Sequence, residues 1–332
     1  MTVSSEDRSA TLRATLDPLS WPDRFDVLRE AEKAARSSDE RAAIVQMTTK
    51  LADAALVALS PEWEGRPFKD AILRLPSKRL RGALTRAAKR ARDRYVVDAI
   101  ANGLAPLDEQ SSRRRRFAVG LDERAIEMPL ALATARLSAP GEVLDAGSAL
   151  NLPVVRQIVG RPVARVTHFT LPGTTEPVLP GDADRFVLAF GDLRALTFPD
   201  GAFDRVVCVS TLEHVGMDTT RYSDQGGHAS GSGATALAEL MRVLAPGGEL
   251  VLTVPYGRSL DGGWFRVFDR AGLTELLAPT SSQRVESRFF YYDSGWLEGD
   301  DVPPAVTVDT PFFDDVITGV AVVRVLKSGG TA

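Results

Sequence analysis

The chain is poor in the residues that build metal and disulfide frameworks. Its 332 residues include one cysteine and three histidines. A single cysteine excludes an internal disulfide and any zinc site made from a cysteine cluster. Three histidines leave little for a His-rich metal centre, and no metal site is expected. Cys208 stands in the apolar run Val206-Val207-Cys208-Val209 and reads as a small buried core residue. No apolar run approaches the roughly 18 residues of a transmembrane helix. The opening residues, Met1 to Asp7, lack the basic-then-apolar order of a secretory leader. The expectation is a cytoplasmic protein with no membrane partner. Internal repeats and long low-complexity tracts are also missing.

What is present is ordinary globular material, 44% hydrophobic and 25% charged, with a net charge of -4. The charge is unevenly placed. Residues 1–118 carry 23 Lys and Arg against 17 Asp and Glu, while the remainder carries 17 against 27. Such a split supports two differently built regions, a helical one over 1–118 and a second over 119–332. In the first, Arg24 to Ala35 and Asp39 to Leu59 place apolar residues at helical spacing among good helix formers. Pro61, Pro67 and Pro76 interrupt the pattern. Ser77 can cap a further helix from Lys78 to Ile100, rich in Lys and Arg. A solvated face accounts for those charges, and an RNA-binding face is the sharper alternative.

From Leu121 the pattern changes to alternating strands and helices. A helix is expected over Glu123 to Leu137. Strands are expected over Glu142–Ala146, Val163–Thr170, Phe186–Phe190, Arg205–Ser210, Glu249–Pro255, Arg284–Tyr292 and Val316–Val325. Helices fit Pro153–Val159, Ala234–Leu244 and Asp269–Leu277, and the slot between the third and fourth strands is nearly empty. Valine- and leucine-rich strands separated by helices argue an α/β fold with a mostly parallel sheet covered on both faces.

Three blocks carry chemistry. The first strand ends Val143-Leu144-Asp145-Ala146-Gly147-Ser148-Ala149. Ligands of open parallel sheets bind beyond the carboxyl ends of the strands, and a glycine there lets backbone approach a ligand. The second runs from Gly191-Asp192-Leu193 through Pro199-Asp200-Gly201 into the fourth strand, then Ser210-Thr211-Leu212-Glu213-His214. Asp192 follows a strand and so faces the ligand crevice, where a carboxylate can accept from an exocyclic amine. The third is a helix, Ala238 to Leu244, stopped by Pro246-Gly247-Gly248 and followed by a buried strand. A glycine there is expected to supply a left-handed helix cap.

In this order and spacing, "VLDAGS", "GDLRALTFPDGAFDRVVCVSTLEHV" and "LAELMRVLAPGGELVLTVPYG" resemble the class I, Rossmann-like, seven-stranded methyltransferase family over Leu121 to Lys327. The resemblance implies S-adenosylmethionine as cofactor and a sheet ending in an antiparallel hairpin. It implies that Asp145, Gly147, Ser148 and Ala149 lie near the methionine moiety. It likewise puts Asp192 and Leu193 near adenine, and Ser210 and Thr211 near the sulfonium. Two departures stand out. The loop after Gly147 lacks the family's further glycines. The end of the second strand, Val166-Thr167-His168-Phe169-Thr170-Leu171, lacks the acid that holds the ribose, leaving Thr170 or His168 to hydrogen-bond there or Glu176 to reach in. The "EHVGMDTTRYSDQGGHA" loop, with Arg124, Glu127 and Pro129, resembles a bacterial branch associated with glycan or secondary-metabolite modification.

A hydroxyl acceptor must lose its proton, and an imidazole titrating near about 6.5 suits that task. His214 is the leading candidate base, with Glu213 and His228 beside it. The aromatic residues Trp264, Phe265, Phe268, Phe289, Phe290, Tyr291, Tyr292 and Trp296 divide between core and acceptor pocket. The expected reaction is O-methylation of a small molecule or saccharide. RNA methylation and a non-catalytic scaffold are the alternatives, and nucleic acid is not the expected partner. A homo-oligomer is compatible with the sequence.

Overall fold

The computed structural model describes residues 21–35, 37–58, 90, 92–104, 107, 112–118, 121–159, 163–174, 179, 184–220, 222–224, 232–293, 295–301 and 319–329. The first described elements are helices α1 (Trp21–Ala34) and α2 (Ser38–Ala58), paired through buried Leu28 and Ile44. Most of the expected helix Lys78–Ile100 lies outside the described residues; residues 92–101 are helical. There Arg92 is bound to Asp93 and, at 3.1 Å, to Asp122.

The α/β part begins with α3 (Arg124–Ala135), followed by β1 (Glu142–Ala146), α4 (Pro153–Val159), β2 (Arg165–Thr170), β3 (Phe186–Phe190) and β4 (Phe203–Val209). Then come a 3-10 turn (Leu212–His214), α5 (Gly233–Val243), β5 (Leu244–Pro255), the short hairpin β6 (Leu260–Asp261) and β7 (Arg266–Val267), and α6 (Arg270–Leu276). The chain closes with β8 (Arg284–Tyr292), β9 (Trp296–Gly299) and β10 (Gly319–Leu326). Among the described residues the main sheet has eight strands in the order β3-β2-β1-β4-β5-β10-β8-β9. The first five run parallel, and β10, β8 and β9 are antiparallel. Seven strands were expected from the resemblance. The eighth, β9, is a four-residue strand that pairs with the end of β8.

Side chains of a strand alternate between faces, so each strand feeds two cores. Val143, Val166, Val207, Val209 and Val251 join α3 on one face. Leu144, Val206, Cys208, Leu250 and Leu252 join α5 and α6 on the other. Cys208 is fully buried, as its apolar neighbours require. Order β3-β2-β1-β4-β5 reverses direction at β1, which opens a crevice beyond the carboxyl ends of β1 and β4.

Several boundaries moved by one to three residues, the start of β5 moved by five, from Glu249 to Leu244, and one expectation was overturned. Gly247, with φ +76, does not cap α5. That helix ends at Val243 with Leu244 already extended. Its terminal carbonyls are met instead by Lys327, whose Nζ donates to Met241 O and Leu244 O at 2.6 Å each. A lysine 83 residues downstream replaces the local glycine device.

Candidate active site

The β1–α4 loop is built around Asp145. Its carboxylate is fully buried and accepts from Leu150 N at 2.9 Å, which folds residues 148–151 back onto the strand end. Asp145 also contacts His168 Nδ1 at 2.7 Å, from the adjacent strand in register. A carboxylate oxygen receiving that contact puts the imidazole proton on Nδ1. His168 therefore braces the loop and is stacked on Phe186, with ring centroids 5.5 Å apart. Gly147, at φ +100, donates to Phe169 O at 2.8 Å. A Cβ at Gly147 would collide with the Thr211 side chain, so glycine is required there. Ser148 takes the left-handed conformation, φ +61, that glycine adopts at least cost. Its Oγ is sealed from solvent without a hydrogen-bond partner. Ala149 is half-buried beside it.

The strand ends flank this loop. Thr211 approaches it from β4, its hydroxyl donating to Val209 O at 2.8 Å. Ser210, with φ +41, donates through Oγ to Glu127 Oε1 at 2.6 Å. Thr253 donates to the same oxygen at 2.7 Å, and Arg124 holds Glu127 Oε2 at 3.0 Å. Glu127 is thus a buried hub joining α3 to β4 and β5. Thr170 ends β2 half-buried, and no acid stands beside it on the strand. Leu193 is buried. Asp192 is half-buried, and Arg194 engages both of its oxygens, at 2.5 to 3.0 Å. That hydrogen bond lowers the Asp192 pKa below the ordinary carboxylate value.

The 3-10 turn after β4 holds the candidate base. His214 Nδ1 lies 2.8 Å from Trp264 O, and its ring stacks on Trp264 at 5.2 Å and 10°. Tyr222 leans on the same ring, with its hydroxyl 3.4 Å from His214 Nε2. Glu213 Oε1 is 3.8 Å from that nitrogen. The Glu213 side chain is buried, and burial pushes its carboxyl well above the usual range. His228 lies outside the described residues. Of the eight late aromatic residues, Phe265, Phe268, Phe290 and Trp296 are core; Trp264, Phe289, Tyr291 and Tyr292 are half-buried.

The crevice therefore brings together Asp145, Gly147, Ser148, Ala149, Ser210, Thr211, Glu213 and His214, with Thr170, Asp192 and Leu193 on its β2–β3 flank. Sequence reasoning did not assign site positions to Arg124 and Glu127, although their spacing of three on an expected helix already paired them. It also missed Arg194 as the partner of Asp192.

A family model described as a methyltransferase domain matches residues 175–252. No curated protein matches the sequence. Solved structures resemble it at low identity. One is a 1,6-didemethyltoxoflavin-N1-methyltransferase from Burkholderia thailandensis, 17% identical over 74% of this chain and 90% of that one, TM-score 0.38. The YcgJ protein from Bacillus subtilis is 15% identical over 61% and 99%, TM-score 0.40. A putative methyltransferase from Bacillus halodurans is 15% identical over 61% and 99%, TM-score 0.38. The matched segment, the strand order and the glycine turn at β1 make this chain similar to class I, Rossmann-like methyltransferases, whose cofactor is S-adenosylmethionine. The unpartnered Ser148 Oγ and the glycine-only turn at Gly147 suit the polar amino-acid end of that cofactor. The β2 flank offers Thr170 in place of an acid.

Proposed function

We propose that the protein methylates a hydroxyl of a small molecule or saccharide, with His214 as the base. The orientation of His214 carries this reading. A backbone carbonyl can only accept, so the contact with Trp264 O fixes the imidazole proton on Nδ1. The Nε2 lone pair then faces Tyr222 Oη and the Glu213 carboxyl, ready to receive a proton. The Trp264 indole stacked behind the imidazole offers an aromatic face of the kind that sugars and planar rings cover.

When bound, S-adenosylmethionine would supply an activated methyl group on a sulfonium. Gly147, Ser148 and Ala149 would hold its amino-acid end, and Asp145 would shape that loop. Ser210 and Thr211 would border the sulfonium, and Thr170, Asp192 and Leu193 the adenosine. His214 would take the acceptor's O–H proton, leaving its oxygen able to accept the methyl group. Alignment of the two reactants by the crevice supplies the rest of the acceleration.

Methyl transfer from labelled cofactor into a panel of monosaccharides and hydroxylated aromatics tests this. His214→Ala is expected to slow transfer by about 10²–10⁴-fold, the usual contribution of a general base, with S-adenosylhomocysteine affinity nearly unchanged. Normal turnover in this variant would remove His214 from the base role.

A further inference from the structure

Charge is unbalanced at the N-terminal end of α3. Four carboxyl groups, Asp122, Glu123, Glu127 and Glu213, meet two guanidinium groups, Arg92 and Arg124. Arg92 takes Asp122 at 3.1 Å, and Arg124 takes Glu127 at 3.0 Å. Glu123 and Glu213 are left without a hydrogen-bonded cation. One oxygen of each, Oε2, is sealed from solvent with no hydrogen-bond partner, and Asp122 Oδ1 and Tyr95 Oη are in the same condition. Three buried acceptors and a buried hydroxyl are thus unsatisfied in one region, although folded proteins leave few such atoms. Their charges act on one another: Glu123 and Glu127 both disfavour ionisation of Glu213. Burial, followed by Asp122 and Glu127, raises Glu123 to about 8.

We propose that Glu123 and Glu213 form a subsite for an ammonium group on the acceptor, so that the substrate is an amino alcohol or amino sugar. This rests on the methyltransferase reading above and names the substrate class for the same site. An ammonium brings one positive charge and three donors, which is what two unpaired carboxyls lack. Glu213 Oε1 is 3.8 Å from His214 Nε2. The ammonium held by Glu213 and the hydroxyl facing His214 must therefore be close together on the acceptor, as on neighbouring carbons. The cofactor's own amino-acid end also carries an ammonium. However, α3 packs over β4 and β5, while the 147–151 loop joins β1 to α4, so the structure assigns the ammonium to the acceptor side.

The test compares 2-aminoethanol with ethylene glycol, in which a neutral hydroxyl with a single donor replaces the ammonium. Each is titrated into the full-length protein saturated with S-adenosylhomocysteine, at fixed ionic strength, and read by thermal shift. The amine at millimolar concentration is expected to raise Tm by a few degrees and the diol to leave it unchanged. Glu123→Gln and Glu213→Gln are each expected to remove the shift while S-adenosylhomocysteine affinity by calorimetry stays within about twofold. Equal shifts from amine and diol in the unmodified protein would overturn the proposal without recourse to any variant. So would an amine shift that survives in both variants. An amine shift seen only without S-adenosylhomocysteine, with Glu213→Gln weakening that ligand tenfold, would assign the subsite to the cofactor instead. If the unmodified protein bound no S-adenosylhomocysteine, the methyltransferase reading would fail, and the amine–diol comparison on the protein alone would still decide the subsite.

Discussion

Glu213 and Glu123 fold into surroundings hostile to their charge, and stability must record this. Burial raises Glu123 to about 8 and carries Glu213 well above its ordinary value in the same direction. An unfolded glutamate releases its proton near about 4.3. Between that pH and the folded pKa, the folded chain holds protons that the unfolded chain has released. Stability is therefore complete below about pH 4.3, as far as these two groups are concerned, and falls as pH rises toward 8. Asp192, Glu239 and Glu286 are shifted downward by arginine partners, so they act oppositely, losing stability only at more acid pH. Without ligand, Tm is expected to decline from pH 5 to 8, and Glu123→Gln or Glu213→Gln to flatten that decline. A flat profile in the unmodified protein would show that neither carboxyl is held protonated. The Leu-Glu-His motif was legible in the sequence, but not the burial of its glutamate. The turn that holds it packs against α5, β5 and β7, and its carboxyl feels the charges of Arg124 and Glu127 on α3, all distant in sequence.

At the level of elements, α3 positions Arg124 and Glu127, so whatever fixes its far end fixes the site. Its last turn stops at Arg136 in the left-handed region, φ +43, without a glycine. Arg205 on β4 compensates, donating to Ala135 O and Arg136 O at 2.9 Å and to Pro140 O at 2.7 Å. Burial lowers the Arg205 pKa, yet three carbonyls satisfy its guanidinium. Arg205→Met keeps the aliphatic stem and removes the donors. The expected loss is about 1.5–3 kcal/mol, the range for a charged hydrogen bond, seen as a lower urea midpoint at unchanged slope. An unchanged midpoint would show that the α3 terminus needs no cap. Both this cap and Lys327 on α5 are long-range substitutes for local signals. The strands were legible because apolar periodicity is local; these stops were not, because their partners are distant in sequence.

The whole molecule poses the question of where the catalytic unit begins. Charge asymmetry suggested a boundary at residue 118. Packing instead draws the preceding segment into the sheet's core: Val96, Leu107 and Ala118 share one cluster with Phe290 and Trp296. Phe117 and Trp296 exchange backbone hydrogen bonds at 3.0 and 2.9 Å, and Trp296 Nε1 donates to Leu121 O at 3.0 Å. Arg288 binds the buried Glu298 at 2.6 Å and Leu107 O at 2.7 Å, and Ser112 donates to Glu298. These contacts cover the β9 edge, which would otherwise offer unpaired strand groups to other chains. The α1–α2 pair, by contrast, has its own small centre at Leu28 and Ile44. We therefore propose that the catalytic unit includes residues 92–118. Removing residues 1–58 is expected to leave one cooperative melt and S-adenosylhomocysteine affinity within about twofold. Removing 1–118 strips Trp296 and Glu298 of their partners, and breaking a buried ion network costs about 3–5 kcal/mol, a large share of a domain's 5–15. The shorter chain should melt far lower or aggregate. Equal stability of the two truncations would return the boundary to 118 and reduce the edge contacts to decoration, whereas collapse of both would make the α1–α2 pair part of the catalytic unit.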